Sequence, residues 1–224
     1  GFASALGASG GGMGRAHRSA VTSLRFEDGG LRLASADAAG HVVVWRWRWR
    51  DSKDAFTSPS APESYVPVDI THPSVQDTPI VDIAWRPGRP QLVVCGHRNL
   101  LRLFDVGPKS LQPVRAFPSL SNAASHLTIA FSPDGRLLAA GGDSGTLTIW
   151  DVDSGVVLLG SARATHAGAR IAFPSPLGSV HWSPTEHLVA ATSFGDPNPV
   201  LLCEPKKRQP VPDAARALAA LGDL

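Results

Sequence analysis

The sequence predicts an all-β fold of about four similar four-stranded units, and two observations predict it. The first is the stretch from Leu127 to Asp151, LTIAFSPDGRLLAAGGDSGTLTIWD, in which three strand-like runs are separated by two tight turns. Leu127, Ile129 and Phe131 alternate as a half-buried strand does, Ser132-Pro133-Asp134-Gly135 supplies turn chemistry, and Leu137 to Ala140 forms a second apolar run. Gly141 to Gly145 turns the chain again, Thr146 to Trp150 is a third run rich in β-branched residues, and Asp151 to Gly155 leads into Val156 to Leu159. Four short strands in about 35 residues make a meander. The second observation is that the landmarks of this stretch recur at fixed offsets. A first strand ends in Phe26, Trp85, Phe131 or Trp182, preceded two residues earlier by Leu24, Ile83, Ile129 or Val180. Seven residues after each aromatic comes Leu33, Leu92, Leu138 or Val189, and nineteen after comes Trp45, Phe104 or Trp150. In the fourth copy Cys203 takes that place, displaced by two, and Gly195-Asp196-Pro197-Asn198-Pro199 provides the longer turn.

Taken in order, residues 1–15 are Gly-, Ala- and Ser-rich and read as a linker. Four repeats fill 16–212, at about 16–70, 79–117, 122–160 and 173–212. The first has strands near Val21 to Phe26, Leu31 to Ala36 and His41 to Arg50, and its extra length is an insertion at about 47–64 that contains the loop SKDAFTSPSAPE. Tyr65 to Ile70 returns as its fourth strand. The second has strands near Ile80 to Trp85, Gln91 to Cys95, Leu100 to Asp105 and Pro113 to Phe117. The fourth runs from Leu177 to Glu204, and its outer strand is interrupted by Pro205, Pro210 and Pro212. Residues 213–224 are expected to form a short helix, with Asp213 as N-cap and Gly222 as its stop.

At this level of detail the units resemble the WD-repeat family, whose members fold as β-propellers with four antiparallel strands per blade. Phe131 to Asp151 is the best match, and His17, nine residues before Phe26, is similar to the histidine of the family's Gly-His position, with Ala16 in place of the glycine. Gln76, Asn122 and Phe173 stand there in the other copies, and the acidic residue of the turn before the third strand reads Ala39, Arg98 and Ser144. The family's buried His-Ser-Asp-Trp network is therefore expected to be incomplete in every unit, with the blades resting on apolar packing. Four units lie at the lower limit of the usual four to eight blades. With a chain that starts Gly1-Phe2, this implies an arc from a larger propeller, one that does not close alone.

The chain has 224 residues, 43% hydrophobic and 18% charged, which is the composition of an ordinary globular domain, and no run approaches a membrane span. A net charge of +2 puts no field of one sign over the molecule. Cys95 and Cys203 both fall on strand positions and read as buried free thiols, which suits the cytoplasm or nucleus. The eight histidines are dispersed; His181 and His187 flank one turn without a cysteine or carboxylate cluster, so no metal site is assigned. Gly141 to Gly145 lies between strands and lacks the lysine of a phosphate loop. No catalytic residue and no cofactor is assigned.

Two candidate binding elements remain. Alternation along Arg46, Trp47, Arg48, Trp49 and Arg50 puts indoles on one face and guanidiniums on the other, a composition found at interface hot spots and also able to stack on bases. Lys206, Lys207 and Arg208 form a basic cluster. Since propellers host many functions, the resemblance implies only a non-catalytic scaffold for protein–protein interactions in a larger complex. Its partners would be other proteins, including the remainder of a propeller or another subunit. A nucleic-acid-associated subunit using the Arg/Trp strand is the alternative, and no membrane partner is expected.

Overall fold

A computed structural model describes residues 16–48, 64–123, 126–160, 173, 175–194 and 200–203. These fold into four antiparallel sheets, each a meander of consecutive strands. Blade 1 contains β1 (Val21–Phe26), β2 (Arg32–Asp37), β3 (Val42–Arg48) and β4 (Ser64–Asp69). Blade 2 contains β5 (Ile80–Trp85), β6 (Gln91–Gly96), β7 (Leu100–Val106) and β8 (Leu111–Ala116). Blade 3 contains β9 (Ile129–Phe131), β10 (Leu137–Ala140), β11 (Thr148–Asp151) and β12 (Val157–Leu159). Blade 4 contains β13 (Leu177–Trp182), β14 (Val189–Ser193) and β15 (Leu201–Cys203). The linker, the loop of the insertion, the basic cluster and the C-terminal helix expected from the sequence lie outside the described residues.

The recurring offsets become single rungs of the ladders. Phe26, Leu33 and Trp45 are paired across three strands, as are Trp85, Leu92 and Phe104, then Phe131, Leu138 and Trp150, and finally Trp182, Val189 and Cys203. Cys203 thus completes the fourth rung despite its displacement of two, because the extra residues fall in the turn before β15. β3 is long, and Trp47 and Arg48 pair with Tyr65 and Ser64 of the returning β4.

First strands lie side by side in the order β1, β5, β9, β13, and among the described residues β13 makes no comparable approach to β1. The arrangement is therefore an arc of propeller blades. Three clusters fill the junctions. Ala34, Ala36, Val42 and Val44 of blade 1 meet Ile83, Trp85, Leu92 and Phe104 of blade 2. Val93, Cys95, Leu101 and Leu103 on the other face of blade 2 meet Ile129, Phe131, Leu138 and Trp150 of blade 3. Ala139 and Leu147 of blade 3 meet Leu177, Val180, Val189 and Ala191 of blade 4. Burial of these side chains, at about 25 cal/mol per Å² of apolar surface, is the main force holding blade to blade. Close approach also demands glycine: a Cβ at Gly141 would collide with the Leu177 carbonyl of the next blade.

The expectation of an incomplete buried network fails in blade 1. His17 Nδ1 lies 3.2 Å from Asp37 Oδ2, its Nε2 lies 2.5 Å from Ser35 Oγ, and Trp45 Nε1–H donates to the same Oγ at 2.7 Å. The acid is Asp37, at the end of β2 and two residues before the Ala39 position where the sequence comparison sought it. From there its carboxylate reaches into the turn and accepts the N–H groups of Ala39 and His41 at 2.9 Å each.

Candidate functional site

Three regions can be built up from their residues. The Arg/Trp run begins within β3 and continues past its end. Trp45 is tied to Ser35, and Arg46 donates from a terminal guanidinium nitrogen to the Gly107 carbonyl of blade 2 at 2.8 Å, so it bridges two blades. Trp47 and Arg48 continue β3 as backbone, while Trp49 and Arg50 lie outside the described residues. The indole of Trp45 and the guanidinium of Arg46 thus act within the fold. His187 approaches Asp134 of blade 3 at 3.4 Å and stacks edge-on against Trp182 at 6.1 Å, whereas His181 is exposed on the opposite side of the β13 strand.

The second region is a series of polar latches that sequence reasoning missed, all on the residue three before the landmark aromatic. Ile83 N–H of blade 2 donates to Ser23 Oγ of blade 1 at 3.4 Å. Ile129 N–H of blade 3 donates to Asp82 Oδ2 of blade 2 at 3.1 Å. Val180 N–H of blade 4 donates to Thr128 Oγ1 of blade 3 at 2.7 Å. Each blade therefore accepts, at one register position, the amide two residues before the next blade's aromatic. Bulges at Val21/Ser23, Ile80/Asp82 and Leu177/Ser179 shift the pairing there. Such a bulge re-aims side chains and leaves backbone groups outside the ladder.

Asp82 is the most heavily used of the series. Its carboxylate is buried and also accepts Ser23 Oγ–H at 2.8 Å, Ile83 N–H at 2.9 Å and the Arg25 guanidinium at 2.8 Å, so it joins the inner strands of three blades. Burial pushes its pKa above the ordinary carboxylate value, against the pull of Arg25 and of the three hydrogen-bond donors. The fourth copy has Ser179 at the same position.

The third region is the pair of end faces. In blade 1 the face turned away from blade 2 carries Leu24, Phe26 and Leu33, with Leu24 54% and Phe26 60% exposed. The equivalent aromatics Trp85 and Phe131, covered by a preceding blade, are 7% and 9% exposed. At the other end, the face of blade 4 turned away from blade 3 carries Ser179, His181, Ala190 and Leu202, with Leu202 62% exposed. Separately, an open cleft of about 360 Å³ is lined by residues that include Arg18, His41, Thr71, Gln76, Lys109 and Ser110. Four of these are exposed, so it is a surface feature and not an enclosed ligand chamber.

With this geometry in place, a family model described as "WD domain, G-beta repeat" matches residues 13–46 and 119–151. Two stretches of the chain, in blade 1 and leading through blade 3, thus match the WD repeat. Jouberin of Mus musculus is 25% identical over 186 residues, 83% of this chain and 16% of that protein. "Target of rapamycin complex subunit wat1" of Schizosaccharomyces pombe is 27% identical over 134 residues, 60% of this chain and 36% of that one. The crystal structure of the Cps50 (Swd1) β-propeller domain of Myceliophteria thermophila superposes with a TM-score of 0.57 at 17% identity, covering 83% of this chain and 51% of that one. The chain therefore spans about a sixth of the length of jouberin, about a third of wat1 and about half of a solved propeller domain. No helix among the described residues is long and apolar enough to cross a membrane.

Proposed function

We propose that the chain is a non-catalytic scaffold: an arc of WD-type blades that holds protein partners together as a subunit of a larger assembly. The observation that carries this reading is the contrast between junctions and ends. Positions sealed wherever one blade meets another are open at Leu24 and Leu202, and large apolar side chains left exposed at a packing position mark an interaction surface. One relative is by its printed name the subunit of a complex. Partners are other proteins, among them the remainder of a propeller or another subunit, and no cofactor is called for. Free thiols at Cys95 and Cys203 fit the cytoplasm or nucleus, where thiols stay reduced.

The test is affinity capture with the full chain, identifying the co-purifying proteins, beside a salt titration against single- and double-stranded nucleic-acid probes. Reproducible capture of defined proteins supports the scaffold. Tight probe binding that weakens steeply with salt, with no protein captured, would replace it by a phosphate-contacting role for Arg48, Arg50 and Lys206 to Arg208.

A further inference from the structure

We propose that the open cleft between blades 1 and 2 is a docking site for an extended, carboxylate-bearing segment of a partner protein. This names the partner's chemistry within the scaffold reading and rests on it. The cleft is lined by Arg18 ahead of β1, His41 at the β2–β3 turn, Thr71 and Gln76 in the β4–β5 connection, and Lys109 with Ser110 in the β7–β8 turn. Each of these stretches is held in place. Arg18 N–H donates to Asp37 at 3.2 Å, Val42 N–H to Thr71 Oγ1 at 2.9 Å, and Asp77 N–H to the Ala39 carbonyl at 3.1 Å. Gly107 N–H closes the β7–β8 turn on the Ser110 carbonyl, and the Arg46 guanidinium draws that turn to blade 1 through the Gly107 carbonyl.

Charge and hydrogen bonding say what fits. Arg18 and Lys109 are exposed, no described carboxylate pairs with either side chain, and no aspartate or glutamate is among the described residues that line the cleft. His41 is the third polar group, only 9% exposed. Its Nδ1 lies 3.3 Å from Asp37, and the carboxylate takes the hydrogen there. That leaves Nε2, which no described group bonds, as an acceptor in a ring that lines the cleft. An anion alone answers the two cations but not this acceptor. A peptide answers both: its carboxylates meet Arg18 and Lys109, its backbone N–H meets Nε2, and its carbonyls meet the Gln76 amide and the Ser110 hydroxyl. The phosphodiester backbone of DNA carries charge but no hydrogen to donate. The occupant must also be extended. β3 leaves the turn that holds His41 and β7 runs into the turn that holds Lys109, so the two ends of the cleft stand at opposite ends of equivalent strands.

Fluorescence anisotropy of the full chain with a short labelled peptide of alternating glutamate and serine tests this, beside its glutamine counterpart and a single-stranded DNA of equal charge. The glutamate peptide is expected to bind and the glutamine peptide not to. Arg18→Ala and Lys109→Ala, both at exposed positions, should each weaken binding about fivefold, the upper end for an exposed ion pair, and together about 25-fold. Arg136→Ala, an exposed cation of blade 3 outside the cleft, should change nothing. Absence of glutamate-peptide binding, an equal loss in Arg136→Ala, or tighter binding of the DNA than of the peptide would overturn the cleft as a peptide site. Capture of defined proteins by a chain that fails the peptide test would leave the scaffold reading standing.

Discussion

Replacing Asp37 by alanine is expected to destabilise blade 1 by about 3 kcal/mol, and two independent routes lead to that magnitude. The carboxylate has no exposed surface and accepts two turn amides, from Ala39 and His41, at 2.9 Å each. Each buried donor left without a partner costs about 1 to 3 kcal/mol, while the longer contacts to His17 and to Arg18 N–H, both at 3.2 Å, lie nearer solvent and weigh less. The second route is ionisation. Burial alone would raise the pKa of Asp37, but the amides of His41 and Ala39, the His17 ring and the Arg18 amide outweigh it and hold the group at about 2, against an ordinary 3.8. At about 1.4 kcal/mol per pKa unit this is worth roughly 2.5 kcal/mol. Because the folded value is lowered, the contribution is complete above the unfolded pKa and fades as the pH falls toward the folded one. Urea unfolding of wild type and Asp37→Ala at about pH 7 and about pH 3 should show the gap narrowing by about 1 kcal/mol in acid. A gap below about 1 kcal/mol at neutral pH, or one indifferent to pH, would refute the reasoning.

Four further outcomes rest on the packing. Trp150 is fully buried, with its indole N–H on the Pro118 carbonyl at 2.8 Å, so Trp150→Ala should cost about 3 to 5 kcal/mol in thermal or urea unfolding. Thr185→Ala, in the exposed turn after β13, should stay within about 0.5 kcal/mol in the same measurement. At Asp82 the sign of the pH effect is opposite to that at Asp37: a carboxyl raised by burial binds its proton more tightly in the fold, so acidification from neutral stabilises the protein through this group. Asp82→Asn should therefore lose stability more steeply than wild type between about pH 7 and about pH 4, read from urea midpoints. Cys95 is buried, with its thiol pushed up by burial and by the Asp82 charge, and should resist alkylation in the native state while half-buried Cys203 reacts first, as peptide mapping would show.

The rungs were legible in the sequence because ladder pairing converts a fixed number of residues into a fixed side-chain direction. Aromatic, seventh and nineteenth residues must share a face wherever the turns have equal length, and the displacement of Cys203 could be traced to its longer turn. The Asp37 network was hidden by two residues. A turn acid and an acid at the end of the preceding strand can serve the same amides, and residue types do not say which will reach. The latches left a visible trace, since Ser23, Asp82, Thr128 and Ser179 are all polar at one offset. Reading them as junction contacts required the bulges, which depend on pairing between strands and are not written in either strand alone. The basic cluster and the end of the Arg/Trp run were equally conspicuous, yet conspicuous composition carries no geometry, and Arg46 is bonded to a backbone carbonyl of the neighbouring blade.

The junctions also show why this arc has a direction. Blades 2 and 3 each present unlike faces: one bears the bulky rung and donates an amide to the preceding blade, while the other bears smaller side chains and accepts the next blade's amide on an aspartate or threonine, as Ser23 of blade 1 does for blade 2. Two bulky faces brought together would overpack and leave two donors opposed; two small faces would leave a void with two acceptors opposed. Either mismatch costs the dispersion contacts that close packing supplies, together with the desolvation of unpaired polar groups. Blades of this kind therefore stack only head to tail. The open bulky face of blade 1 calls for a small, accepting face, and the open face of blade 4 calls for a bulky, donating one. Whatever completes the arc, from the same polypeptide or from another, must satisfy both demands.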